Sequence, residues 1–164
     1  MPLTPFHWSI LVFGFLLMDL FYIPVLAVSS VLMDIEPFYH MFISPAADGT
    51  LHGFFHTYLG ATVLALVVGF MFVAQRKPID KIMARFKLNQ TKISVKSIYS
   101  SSLLAAYSHI FLDSLMHSDL VPFWPFTHLN PFLGLIPAGS IYLITGVGLL
   151  LSGMVYLLIL LKNR

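Results

Sequence analysis

Two stretches of this sequence, His52-Gly-Phe-Phe-His56 and His109-Ile-Phe-Leu-Asp113, each set two metal-binding side chains four positions apart. On a helix, residues at i and i+4 share a face, so each pair is expected to act as a two-pronged ligand. His117 extends the second pair into a stripe at i, i+4 and i+8. The segment Met33-Asp34-Ile35-Glu36-Pro37 adds two carboxylates. A residue before proline is pushed out of the helical region, so this segment is expected to be extended or a turn, with Asp34 and Glu36 on one side. Together these residues predict a buried site for a divalent metal. Such an ion lowers the pKa of water and polarises a scissile group, which is the chemistry of hydrolysis. Cysteine is absent, leaving neither a disulfide framework nor a thiolate site. Imidazole and carboxylate donors point to zinc, with manganese, iron or magnesium as alternatives, over copper(I) or an iron–sulfur cluster.

The elements that must position these donors are apolar. Of 164 residues, 58% are hydrophobic and 10% charged, and the mean hydropathy is +0.87. That composition predicts an all-α integral membrane protein, a single domain forming a small bundle of about four transmembrane helices. The spans are expected near 8–32, 53–75, 97–117 and 140–161. Met1 to Phe6 lacks the basic n-region of a signal peptide, so the first apolar segment is expected to remain in the mature protein. Asp19 and Pro24 interrupt that segment, and either a kinked helix or a shallow hairpin fits it.

Arg76, Lys77, Lys81, Arg85, Lys87, Lys92 and Lys96, with Asp80 the only acid among them, read as a cytoplasmic loop over 76–96. Orientation in a membrane explains this basic stretch without a nucleic-acid partner. Residues 118–139, rich in proline and aromatics around Trp124, are expected to lie along the membrane interface or dip back into it. Asp34, Glu36, His52, His56, His117 and Asp119 then fall on the extracytoplasmic side, with His109 roughly 12 Å from His117 along its helix. Asp19 reads as a helix contact or kink feature, and His40, Asp48 and His128 as residues of solvated loops. Glu36 and His117 are the candidates for general base or acid.

Other functions would use the same residues differently. A lone histidine in a membrane helix often only bridges neighbouring helices, as in a structural or assembly protein. A metal carrier or sensor would need polar residues continuing from His109 towards the basic loop. The intervening Leu103-Leu104-Ala105-Ala106 offers none.

These motifs resemble a bacterial and archaeal family of membrane-bound, metal-dependent hydrolases that includes a LexA-regulated inner-membrane member. The family pattern runs from a Pro-Leu-Thr-His-like N-terminus through Pro-Asp-x-Asp and His-Arg-Gly-x-Thr-His-Ser to Ser-His-x-x-x-Asp and a Trp-Pro segment. Pro2-Leu3-Thr4 with His7, Met33-Asp34-Ile35-Glu36, His52 to Thr57, Ser108 to Asp113 and Trp124-Pro125 follow that order. Met33 replaces the proline and Glu36 the second aspartate. His52 stands one residue nearer His56 than in the pattern, and its arginine is missing. The resemblance implies a prokaryotic inner-membrane hydrolase whose metal is held by His7, Asp34, His52, His56, His109 and Asp113. The buried, interface-facing position of the site, and not the family, predicts membrane lipids as partners and a lipid phosphoester or acyl group as substrate. His7 can join Asp34 only if the first segment turns back near Asp19 to Pro24.

Overall fold

Pro24 starts a helix and does not kink one. It lies in the first turn of a helix at Ile23–Ser29, where proline's preset φ helps and its missing N–H costs no hydrogen bond. In the computed structural model, which describes residues 4–44 and 49–162, a 3-10 turn at Thr4–Ile10 leads into α1 (Leu11–Leu16), and the chain turns over 17–22 into α2 (Ile23–Ser29). The first apolar segment is therefore a hairpin. A Cβ on Gly14 of α1 would come within 2.8 Å of Leu26 Cδ1 on α2, so glycine lets the two arms close. Asp19 is exposed in the turn.

Gln90 fastens this turn from a distant part of the chain. Its Nε2 donates to the carbonyls of Met18 at 2.8 Å and Phe21 at 2.6 Å, and its Oε1 accepts from the Ile23 amide at 2.9 Å. Gln90→Leu strands these backbone groups, each buried unpaired group costing about 1–3 kcal/mol. A loss of at least about 2 kcal/mol is expected, read as a fall in Tm of roughly 4–8 °C.

After a 3-10 turn at Leu32–Asp34 comes α3 (Ile35–Phe42). The extended geometry expected before Pro37 does not occur. Pro37 sits in the first turn of α3, where helical propagation prevails over the restriction on the preceding residue. His40 lies on this helix, not in a loop.

The segment before α4 (Tyr58–Ala74) also departs from expectation. Thr57 caps α4, its Oγ1 accepting from the Gly60 amide at 2.9 Å, so the helix begins only after His56. His56 lies in a 3-10 turn at Phe54–His56, and His52 precedes it in irregular chain. The basic stretch contains α5 (Arg76–Arg85), bent by 80° from α4. Then α6 (Val95–Ser114), capped by the Ser94 hydroxyl, carries His109 and Asp113 and stops before His117. Turns connect it to α7 (Ala138–Lys162).

The protein is all-α, with no strand among the described residues. α4 lies along α6, with Ala61, Ala65, Ala106 and Ile110 buried between them and Met33 and Leu120 closing that core. α2 rests on the same helix, and α7 packs on α1 and the N-terminal 3-10 turn. Among the described residues, α7 alone is long and apolar enough to cross a membrane, and α4 with α5 qualifies only as a bent pair. Of the about four spans expected, the first segment thus takes its hairpin alternative, and α4, with 17 residues, is shorter than the roughly 20 that a crossing needs.

Candidate metal centre

The N-terminal hairpin delivers His7 to the middle of the molecule. Its ring is 2% exposed and stacks on that of His109, with centroids 3.8 Å apart. His7 Nε2 is 3.3 Å from Asp113 Oδ1. Asp113 Oδ2 lies 3.2 Å from His109 Nε2 and 3.8 Å from His56 Nε2. Asp34 Oδ1 approaches His109 Nε2 at 3.6 Å from the end of its 3-10 turn. Four separate chain segments converge here, although only His109 and Asp113 use the helical i, i+4 spacing.

Hydrogen bonds at Nδ1 orient three of the imidazoles. His109 Nδ1 donates to the Ser30 carbonyl at 2.7 Å, His56 Nδ1 to Glu36 Oε2 at 2.9 Å, and His52 Nδ1 to Asp119 Oδ2 at 2.9 Å. These acceptors have no proton to give, so each Nδ1 carries a hydrogen, and in the neutral ring Nε2 then presents the lone pair. His56 Nε2 and His109 Nε2 face each other at 3.4 Å, where two lone pairs repel unless a cation lies against them.

Unpartnered buried atoms point the same way. Among the described residues, both nitrogens of His7, Asp34 Oδ2, Asp113 Oδ1 and His117 Nε2 lack a hydrogen-bond partner. The contact between His7 and Asp113 is short enough for an ion pair but lacks hydrogen-bond geometry. Buried polar groups are costly to leave unsatisfied. A divalent cation fits these atoms and the donor types present. Donor atoms of His7, Asp34, His109 and Asp113 all lie within 4.8 Å of one another.

Glu36 takes a different role from the one its sequence position suggested. Its carboxylate accepts from the amides of Gly53 at 3.0 Å and Phe55 at 3.2 Å as well as from His56. Burial pushes its carboxyl up, but the bonds from His56, Phe55 and Gly53 outweigh this and hold it below its ordinary value. A carboxylate so occupied is a positioning group, not a free base. Glu36→Gln is expected to retain the fold and weaken metal binding about 10- to 100-fold, measured by competition with a chromophoric chelator.

Asp119 and the Ser30 carbonyl are parts of the centre that sequence reasoning did not select. Asp119 accepts from the amides of Leu51 and His52 in addition to the His52 ring. Burial raises its carboxyl, but the Leu51 amide and His52 prevail and bring it to about 2. Its position two residues beyond His117 was the only local signal. His117 itself, though off α6, remains adjacent: its ring centroid is 4.5 Å from that of His52. Burial lowers its imidazole below the ordinary value.

The remaining polar candidates lie apart from this cluster. His40 Nδ1 is 3.2 Å from the Ser44 carbonyl, His128 is exposed, and Asp48 lies outside the described residues. A pocket of about 230 Å³ opens beside the centre, lined by His52, Gly53, Phe54, Thr57, Val121 and Trp124. No family model, curated protein or solved structure matches this chain.

Proposed function

We propose that this chain is a membrane-bound, metal-dependent hydrolase acting on a lipid phosphoester or acyl group at the bilayer interface. The observation that carries this reading is the convergence of His7, Asp34, His109 and Asp113, with buried donor atoms that have no partner among the described residues. These four residues would hold a divalent cation, zinc first by donor type and manganese, iron or magnesium as alternatives. Such an ion supplies Lewis acidity and acidifies water.

The chain's own groups divide the remaining work. Glu36, Asp119 and the Ser30 carbonyl orient His56, His52 and His109. His117, with an unpartnered Nε2 beside His52, is the group that takes up or delivers a proton. Phe54, Val121 and Trp124 give the adjoining pocket an apolar wall for the substrate. Membrane attachment is supported by α7 and by the exposed apolar side chains of α3, among them Ile35, Phe38 and Phe42. The basic stretch supports a cytoplasmic position for α5.

A carrier using the same ligands is less well supported. Ser102 donates to the Ala65 carbonyl and pairs with Ser29, while Ser101 donates to the Ser97 carbonyl and accepts from the Tyr22 amide. These serines fasten helices together and line no polar passage. The test of the hydrolase is turnover of lipid phosphoesters and acyl esters by the purified protein in detergent, lost in His109→Ala with helix content unchanged. Stoichiometric metal with no turnover across both ester classes would overturn it.

A further inference from the structure

His7, Asp34, His52, His56, His109 and Asp113 do not share one point. Two ligands of a single ion lie no more than about 4.4 Å apart, twice a bond of roughly 2.0–2.2 Å. Donor atoms of His7, Asp34, His109 and Asp113 form one set within 4.8 Å, and those of His52, His56 and Asp113 form a second within the same limit. Asp113 is common to both. Its Oδ1 is turned to His7, while its Oδ2 lies between His109 and His56.

Charge leads to the same division. Asp34, Glu36, Asp113 and Asp119 surround this cluster, four of the seven acids in the chain. His52, His56 and His109 are neutral donors when each keeps its proton on Nδ1 alone. One divalent cation would leave about two negative charges uncompensated beside buried groups, which is costly. Two would balance the four carboxylates. Each imidazole of the second set is backed by a carboxylate, His56 by Glu36 and His52 by Asp119, the arrangement that strengthens a histidine ligand.

We propose that the centre binds two divalent cations, one facing His7, Asp34 and His109, the other facing His52 and His56, with the two oxygens of Asp113 bridging them. This rests on the metal-binding part of the proposed function. Paired metal ions in proteins sit roughly 3.5–4 Å apart, a separation that a bridging carboxylate spans. A competing set, His52, His117 and Asp119, meets the same 4.8 Å limit. Asp119 Oδ2 there already accepts from two amides and the His52 ring, so it braces His52.

The test is manganese(II) titration of the full-length, chelator-stripped protein in detergent, followed by elemental analysis and electron paramagnetic resonance. The wild type is expected to take two equivalents and give an exchange-coupled signal. His52→Ala is expected to keep one equivalent with an uncoupled signal, and His117→Ala to keep both, still coupled. Asp119→Asn, a milder change, should weaken one equivalent about 10- to 100-fold and leave the other unchanged. A single equivalent in the wild type, unaffected by His52→Ala or Asp119→Asn, overturns the second ion and leaves the hydrolase reading intact. Two uncoupled equivalents, or one lost in His117→Ala, overturn the bridging role of Asp113. No bound metal in the wild type overturns both proposals.

Discussion

Asp113→Asn is expected to strip the protein of bound metal and abolish turnover while leaving its shape unchanged. The substitution conserves volume and removes one charge, at a side chain whose oxygens face His7, His109 and His56. Losing a group that merely orients a ligand weakens metal binding about 10- to 100-fold. Losing the central anionic donor is expected to cost at least about 1,000-fold, since charge compensation for the ion goes with it.

Stability separates this outcome from a structural role for the histidines. An ion present at about 1,000 times its Kd adds roughly 4 kcal/mol to the folded state. Wild-type protein should therefore melt at a higher temperature with metal than with chelator, whereas Asp113→Asn should melt at one temperature in both. In chelator the variant should match or exceed the wild type, because a buried carboxylate without its cation is itself a cost. Equal melting of wild-type protein with and without metal would identify the histidines as helix bridges.

Gly60→Ala is expected to be the most damaging single-methyl change near the centre. Its Cβ would overlap the Phe54 carbonyl oxygen and lie 2.7 Å from that carbonyl's carbon. Both are backbone atoms of the 3-10 turn that presents His56, and the same carbonyl accepts from the Thr57 hydroxyl. The clash can be relieved only by moving that turn away from α4. Overpacking typically costs 1–3 kcal/mol, occasionally more; with backbone on both sides, at least about 3 kcal/mol is expected, or roughly 6–12 °C in Tm. Metal content should fall with it as His56 is displaced. Gly153→Ala on α7 is the control, since its Cβ would meet nothing within 4 Å. Thermal unfolding and elemental analysis of both variants would check this, and an undisturbed Gly60→Ala protein would refute the close approach.

Two local rules applied to the site failed where a stronger local signal competed. The i, i+4 spacing of His52 and His56 suggested a helical pair, but Thr57 caps α4 after both of them. Glu36 before Pro37 suggested extended chain, but Pro37 occupies a helix's first turn. The same spacing held for His109 and Asp113, which lie inside α6 with helical residues on either side.

The amino-acid order by itself determined the inventory: an apolar, helical chain without cysteine, and the imidazoles and carboxylates from which a metal centre can be built. Only the tertiary structure decided how those residues are used. The hairpin that brings His7 to Asp113 depends on Gln90, 83 positions from His7 in the chain. Glu36 became a positioning group because three N–H donors converge on it, and Asp119 entered the site by reaching back to Leu51 and His52. Residue type and short spacing are local properties. Which nitrogen carries a proton, and which carboxylate remains free, depend on partners that only packing of distant segments brings into contact.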